Sequence, residues 1–327
     1  MRRWVAIGIV AGGLAAMVAA SALWLDRAYV RPGPAIQETI LIIEPGASVA
    51  KIAAELERAH VIEHALVFRV MARLVEAHRT LRAGEYAFPA GSSLQAVILN
   101  LRSGHTVQRR FTVVEGATHA AIGRQLAHAY GLAGPPPPMP PEGWLGPETY
   151  FYTYGDTRAV LVERMHDAQR RTIAELWSGR AAGLPIATPD EALVLASIIE
   201  RETAIDSERT RVAGVFVNRL RKGMRLQSDP TVIYAVTDGD GEIDRPLSRR
   251  DLAVDSPYNT YARNGLPPGA ISNPGRASIA AALNPAETGD LYFVADGTGG
   301  HAFAATLAEH NRNVARWRRL QRSPGGP

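Results

Sequence analysis

Residues 195–204, LASIIERETA, run an apolar segment straight into two acids, Glu200 and Glu202. A carboxyl at the end of a buried segment is partly desolvated, and burial favours its neutral form. A protonated carboxyl near neutral pH is what general acid catalysis needs. The competing reading is that Glu200 is simply the first polar residue where the segment reaches water, because structural acids outnumber catalytic ones. A further carboxylate, Asp229, stands in RLQSDPTVIYAV, 225–236, where its place before Pro230 also suits a helix N-cap. SPYNTYARNGLPPGAISNPG, 256–275, is a long stretch dense in Tyr, Asn, Pro and Gly. Such a loop suits the wall of a cleft for a sugar, where amides and hydroxyls bond and rings stack.

Other chemistries are excluded or weak. The chain has no cysteine, which removes thiol nucleophiles, disulfides and cysteine zinc sites. HVIEH, 60–64, has the spacing of a zinc peptidase motif, but that chemistry needs both histidines on one continuous helix. Here the pattern places a joint between two helices, so no metal and no cofactor is expected. DGDGEID, 238–244, lacks the spacing of a calcium loop and reads as a turn. The net charge is +4, with Lys51 and Lys222 the only lysines. That balance fits an anionic polymer or surface. Few aromatics sit among the arginines, so nucleic acid is not an expected partner.

Several elements must position these groups. Thr188, Pro189 and Glu191 form a capping box with proline at its permitted place, opening a helix whose interior, 192–199, is apolar except for Ser197. A helix apolar on nearly every side is buried. Glu200 shares a face with Leu193, Ala196 and Ser197, whereas Glu202 points elsewhere. Residues 157–178 and 207–224 read as further amphipathic helices. Residues 291–306 read as a hairpin with an Asp296–Gly297 turn, and Thr306 with Glu309 caps a basic last helix.

Upstream, one pattern recurs three times: Gly46-Ser48-Ile52-Leu56, Gly91-Ser93-Val97-Leu101 and Gly116-Thr118-Ile122-Leu126. Each copy follows an apolar or aromatic stretch. The pattern predicts a strand, a glycine turn, an N-cap hydroxyl and an amphipathic helix. A further apolar helix is expected over 65–75. GPPPPMPP, 134–141, is a proline-rich spacer. At the N-terminus, Arg2-Arg3 precedes an uncharged run over 4–25. As a helix that run is about 33 Å long, enough for a bilayer core. The arginines predict a cytoplasmic N-terminus. A cleaved signal peptide is the rival, but the run exceeds its usual apolar length.

LASIIERETA, VFVNRLRKGMRLQSDPTVIY, YNTYARNGLPPGAISNPG and LYFVADGTGGHAF occur in this order over most of 190–311. Together they resemble the endolytic murein transglycosylase, or YceG-like, family. EGWLGPETYFY, 142–152, departs from the family pattern, which has an aromatic and Asp at Gly146 and Glu148. The upstream repeats more loosely resemble LysM sugar-binding modules. The resemblance implies cleavage within peptidoglycan strands at the MurNAc–GlcNAc bond. It implies a 1,6-anhydroMurNAc end, a link to terminating newly made strands, and peptidoglycan synthases as partners. Glu200 occupies the family's catalytic position, and Glu202 would support it. One glutamate suffices because the muramyl C6 hydroxyl replaces activated water. Gln227, Ser228, Asp229, Tyr258, Asn259 and Tyr261 are then the candidates for holding sugars, and each also has an ordinary role in loop structure.

The expected fold class is α+β. Its expected parts are a cytoplasmic tail at 1–3, a transmembrane helix at 4–25 contacting the lipid bilayer, and a linker at 26–37. A LysM-like βα region at 38–132, the spacer at 133–141 and a mixed α+β catalytic domain at 142–327 follow. The expected location is the inner membrane, single-pass, with the C-terminal bulk periplasmic. Two rival functions stand beside the lytic one: a hydrolase of the same glycan using water and Asp229, and a non-catalytic wall-binding scaffold.

Overall fold

The structure, a computed structural model, describes residues 2–241 and 243–322, with backbone alone for residues 2–6, 8 and 10. The chain is α+β and divides into two compact units. One is Met1–Arg109 with Tyr152–Gly155, and the other is Arg110–Phe151 with Asp156–Pro327.

In the first unit, α1 (Arg2–Val30) precedes everything else. Among the described residues, no helix is long and apolar enough to cross a membrane. This overturns the expected transmembrane helix at 4–25, the bilayer contact through it, and the single-pass inner-membrane placement. Met1, the first residue of the expected tail, lies outside the described residues. The physical reason is that uncharged length is not apolarity. Residues 11–22 are mostly Ala, Gly and Ser, whose small side chains gain little on leaving water. The last turns of α1 belong to the folded unit, with Leu25 and Tyr29 packed against its core.

That core lies between a two-stranded sheet and three helices. β1 (Thr39–Ile43) and β2 (Gly84–Phe88) pair antiparallel, Thr39 opposite Phe88 and Ile43 opposite Gly84. α2 (Val49–Arg58), α3 (Ala65–Leu74) and α4 (Leu94–Ser103) supply Leu56, Phe68 and Leu101, all fully buried. His60 has φ 55 in the joint after α2, and His64 precedes α3, so the two histidines do not share a helix.

β3 (Gln108–Thr112) is followed by α5 (His119–His128), completing the third copy of the glycine–hydroxyl pattern. All three copies form the predicted device. Gly46, Gly91 and Gly116 have φ of 76, 68 and 77, a region open to glycine at little cost. Ser48, Ser93 and Thr118 each accept a backbone N–H three residues on, from Lys51, Ala96 and Ala121. The paired aliphatics, from Ile52 and Leu56 to Ile122 and Leu126, are buried.

The second unit is mainly helical. β4 (Thr149–Thr153) pairs with β3, and α6 (Arg158–Ser178) follows. α7 (Pro189–Glu202) then packs against α6, α8 (Asp206–Arg221) and α10 (Arg276–Leu283). Thr188 caps α7 by accepting the Glu191 N–H at 3.2 Å. The Glu191 carboxylate reaches back to the Ala187 N–H, one residue before the cap. All of 192–199 is buried, as an all-round apolar helix demands. α9 (Asp229–Thr237) lies between α8 and α10 in sequence.

β5 (Tyr292–Ala295) and β6 (His301–Ala304) form the predicted hairpin, Tyr292 opposite Ala304. Their connection, 296–300, is longer than a two-residue turn and is held by the Thr298 N–H donating to Asp296 Oδ1 at 2.7 Å. Thr306 and Glu309 exchange capping bonds of 3.3 Å each at α11 (Leu307–Arg322). In the stretch 238–244, Asp238 ends α9 with φ 51 and Asp240 pairs with Arg124, while Glu242 lies outside the described residues.

Candidate active site

Glu200 stands where α7 leaves the core, half-buried one residue after the last fully enclosed one. Its Oε2 accepts the Gly275 N–H at 2.8 Å. Gly275 belongs to the Tyr- and Asn-rich loop, and Ser197 explains how that loop is held. Ser197 is the one polar side chain inside α7. Its hydroxyl donates to Val194 O at 2.7 Å and accepts the Ile271 N–H at 3.0 Å. One turn of α7 therefore anchors the loop at Ser197 and meets it again at Glu200.

Asn273, between those anchors, is buried and makes bonds in every direction. Its N–H and side-chain amide both donate to Ala117 O at 2.9 Å, and its O accepts the Gly116 N–H at 2.9 Å. Its Oδ1 accepts the Leu145 N–H at 2.9 Å. The turn before α5 is thereby tied to the loop that carries Gly275.

That tie brings in a carboxylate which the sequence reading did not single out. Glu115 Oε1 lies 1.8 Å from where a Cβ on Gly275 would be. Only the missing side chain at 275 leaves it room. Gly116 beside it faces the Glu200 Cγ, which would be 3.7 Å from its own absent Cβ. Burial and the nearby Glu200 charge push the Glu115 carboxyl up, and Asp206 adds to this while Arg209 opposes it. Arg209 is itself buried and ion-paired to Asp206.

Three of the predicted sugar-holding residues, Ser228, Asp229 and Tyr261, gather elsewhere, around Glu202. Ser228 donates its hydroxyl to Glu202 Oε1, and Tyr261 donates its hydroxyl to Asp229 Oδ1 at 2.6 Å. Asp229 therefore does not cap α9 with its side chain; Ser228 holds the N-cap position, and its hydroxyl points to Glu202 instead. Burial pushes Glu202 up to about 7 against the pull of the Ser228 hydrogen bond. Gln227 is exposed with φ 50, and its N–H donates to Thr260 O at 3.2 Å. A non-glycine residue held there carries backbone strain of the kind that gathers at functional sites. Asn259 is fully buried: its amide donates to Leu252 O and Val254 O, and its Oδ1 accepts the Tyr261 N–H. Those bonds shape the loop from within.

Tyr258 lies apart from this group. Its ring tilts against Tyr234 with centroids 4.8 Å apart. Both line a cavity of about 470 Å³ together with His119, Glu142, Asp238 and Gly269. Glu142 accepts the His119 N–H at 3.0 Å and the Asn273 amide at 3.0 Å, yet burial pushes it up to about 7. Burial pushes the neighbouring His119 down to about 4. Among the described residues, no group of three or more His, Asp or Glu is placed to hold a metal ion.

The arrangement fixes the Glu200 carboxyl at the end of a buried helix, with Glu115 reaching the same glycine. Residues 41–316 match the model described as the YceG-like family. The chain is similar to an endolytic murein transglycosylase of Bacillus subtilis strain 168, 33% identical over 301 residues, covering 83% of this chain and 82% of that protein. It is also similar to an endolytic murein transglycosylase of Streptococcus pneumoniae strain D39. That match is 29% identical over 322 residues and covers 84% of this chain but 57% of the relative. A YceG-like protein of Listeria monocytogenes, known from a 2.6 Å crystal structure, superposes with a TM-score of 0.51 at 29% identity. That likeness covers 84% of this chain and 98% of the other.

Proposed function

The chain belongs to the YceG-like family, and on that premise we propose the reaction and the residue that performs it. The chain is an endolytic murein transglycosylase, a lyase acting on peptidoglycan glycan strands. It breaks the MurNAc–GlcNAc bond within the strand and leaves a 1,6-anhydroMurNAc end. Glu200 donates its proton to the glycosidic oxygen of the leaving GlcNAc as the bond to the muramyl C1 breaks. The 2-acetamido group serves as the transient nucleophile. The C6 hydroxyl then closes on C1, and its proton returns to Glu200. No water is consumed and the glutamate ends as it began. One carboxyl therefore suffices where ordinary glycosidases use two.

The observation that supports this reading is the fixed carboxyl itself: Glu200 at the end of a buried helix, tied to the Gly275 N–H at 2.8 Å. Gln227, exposed, and Tyr258, on the cavity wall, are the residues offered to sugars. Ser228, Asp229, Asn259 and Tyr261 hold the shape of the loop and turn that carry those two. In this reading the LysM-like region, 38–132, grips the strand and the region 142–327 cuts it. Strand termination would set the enzyme beside peptidoglycan synthases.

The hydrolase alternative needs a second working carboxylate at Asp229, but that oxygen already receives the Tyr261 hydroxyl at 2.6 Å. Product analysis of digested peptidoglycan, with Glu200→Gln in parallel, tests the reading. The wild type should yield anhydro ends, and the variant should lose about 10²- to 10⁴-fold in rate, the usual share of general acid–base catalysis. Reducing muramic acid ends, or a variant that still cuts near the wild-type rate, would overturn it.

A further inference from the structure

The cavity beside Asn273 carries polar groups that the cleavage step does not use. Its volume, about 470 Å³, falls in the range of small-molecule sites, and His119, Glu142, Tyr234, Asp238, Tyr258 and Gly269 stand in its wall. The Tyr234 and Tyr258 rings meet at 44° with centroids 4.8 Å apart, so they form a corner rather than a closed stack. The Tyr258 hydroxyl has no hydrogen-bond partner among the described residues, and a Cβ on Gly269 would lie 2.9 Å from it. Glu142 is fixed at the inner side by the His119 N–H and the Asn273 amide, each at 3.0 Å, and by the Tyr234 hydroxyl. Asn273 is two residues from Gly275, whose N–H holds Glu200, a span of at most about 7 Å. One loop thus walls the cavity at Gly269 and fixes Glu200 at Gly275.

Resting on the transglycosylase reading above, we propose that this cavity is a sugar subsite. It takes one N-acetylated sugar ring of the same strand that Glu200 cuts. The Tyr258 ring lies against the face of that sugar, and Glu142 and the Tyr258 hydroxyl bond its polar groups. The lining selects this class. No lysine or arginine stands in it, so nothing there pairs with a carboxylate or a phosphate. Burial pushes Glu142 up to about 7, so near neutral pH its carboxyl can donate to an amide or hydroxyl oxygen. Burial pushes His119 down to about 4, which leaves its imidazole neutral. Asp238 is exposed, and a carboxylate in water holds an ammonium weakly. A neutral ring gains from both kinds of wall, apolar faces on the tyrosines and hydroxyl, carboxyl and imidazole around them.

The probe is tri-N-acetylchitotriose, a chain of N-acetylated rings without peptide, titrated into the full-length Glu200→Gln chain with isotope-labelled tyrosine rings. The NMR signals of Tyr234 and Tyr258 should shift saturably. Ala120→Trp, at a further wall position, fills the space and leaves every group named above in place. It should raise the Kd read at Tyr234 by about tenfold or more. Tyr258→Ala should raise it by about tenfold, and Tyr258→Phe, which keeps the ring, by about threefold. On peptidoglycan, Ala120→Trp in the otherwise wild-type chain should raise KM and hold kcat, as a lost binding contact does. A fall in kcat at unchanged KM overturns the proposal, since it would mean only a disturbed Glu200 loop. Tyrosine signals that stay put overturn it too, as do signals that cadaverine, a bare diamine, moves at lower concentration than the sugar. If Ala120→Trp does not fold, Tyr258→Ala against Tyr258→Phe decides, and equal losses in the two overturn the proposal. If Glu200→Gln still forms anhydro ends, the reading of Glu200 fails. If it is inactive while the tyrosine signals stay put, only the subsite fails.

Discussion

Glu142 shows how a single buried acid writes itself into stability. It is held by the His119 and Gly143 N–H groups and the side chains of Asn273 and Tyr234, yet desolvation outweighs them and pushes it up to about 7. The folded protein therefore keeps a proton that the unfolded chain releases above about 4.5. Its contribution to stability is complete below that pH and is lost as pH rises through about 7. His119 acts in the opposite sense, since burial pushes it down to about 4. Its contribution is present above 6.5 and lost as pH falls through 4. Glu142→Gln removes only the first effect. Its Tm relative to wild type should climb by a few degrees as pH goes from 4.5 to above 7, and thermal melts across that range check it. A constant difference would sink the assignment. At this scale the sequence was legible for the placing of Glu200 at the end of a buried helix. It was not for Glu115, whose approach to Gly275 depends on chain segments far apart in sequence. The one available signal was positional: the residue before the repeat's glycine is Pro45, Ala90 and then Glu115, so only the third copy carries a charge there.

Elements differ in how much of their purpose is local. α7 starts where Thr188 and Pro189 require, and the three glycine–hydroxyl copies form their caps, because those bonds close within four residues. The stretch 256–275 has no periodicity to read, since its partners lie on α7 and in the turn before α5. This contrast separates two variants of α7. Thr188→Ala should cost about 1 kcal/mol in stability through the lost cap and leave turnover of the folded enzyme unchanged. Ser197→Ala buries an unmet Ile271 N–H, which costs about 1–3 kcal/mol, and it also frees the loop that fixes Glu200. Urea unfolding and kcat on both variants check this. Equal turnover in the two would show that the Ser197 bond does not reach the active site.

For the whole molecule, length and charge were a poor guide to the first helix, while local residue patterns were a good one to the fold class. The uncharged run over 4–25 has the length of a membrane span, but its alanine- and glycine-rich middle lacks the apolarity, and Leu25 and Tyr29 serve the domain core. The α+β character followed from strand-turn-helix repeats upstream and a buried helix downstream, and both are present. The second unit is knit by a chain segment with no regular structure. Along 271–275 every second backbone N–H is committed outside its own loop: Ile271 to Ser197 Oγ, Asn273 to Ala117 O and Gly275 to Glu200 Oε2. A coil whose amides are bound in this way cannot open by local fraying without breaking into α7 and the turn before α5. Its amide protons should therefore exchange with solvent as slowly as those of the α7 interior, and native-state hydrogen exchange followed residue by residue would register this. Rapid exchange at Ile271 and Asn273 beside a protected α7 would mean that the loop opens by itself. Slow exchange would make this irregular segment part of the last structure to come apart when the enzyme unfolds.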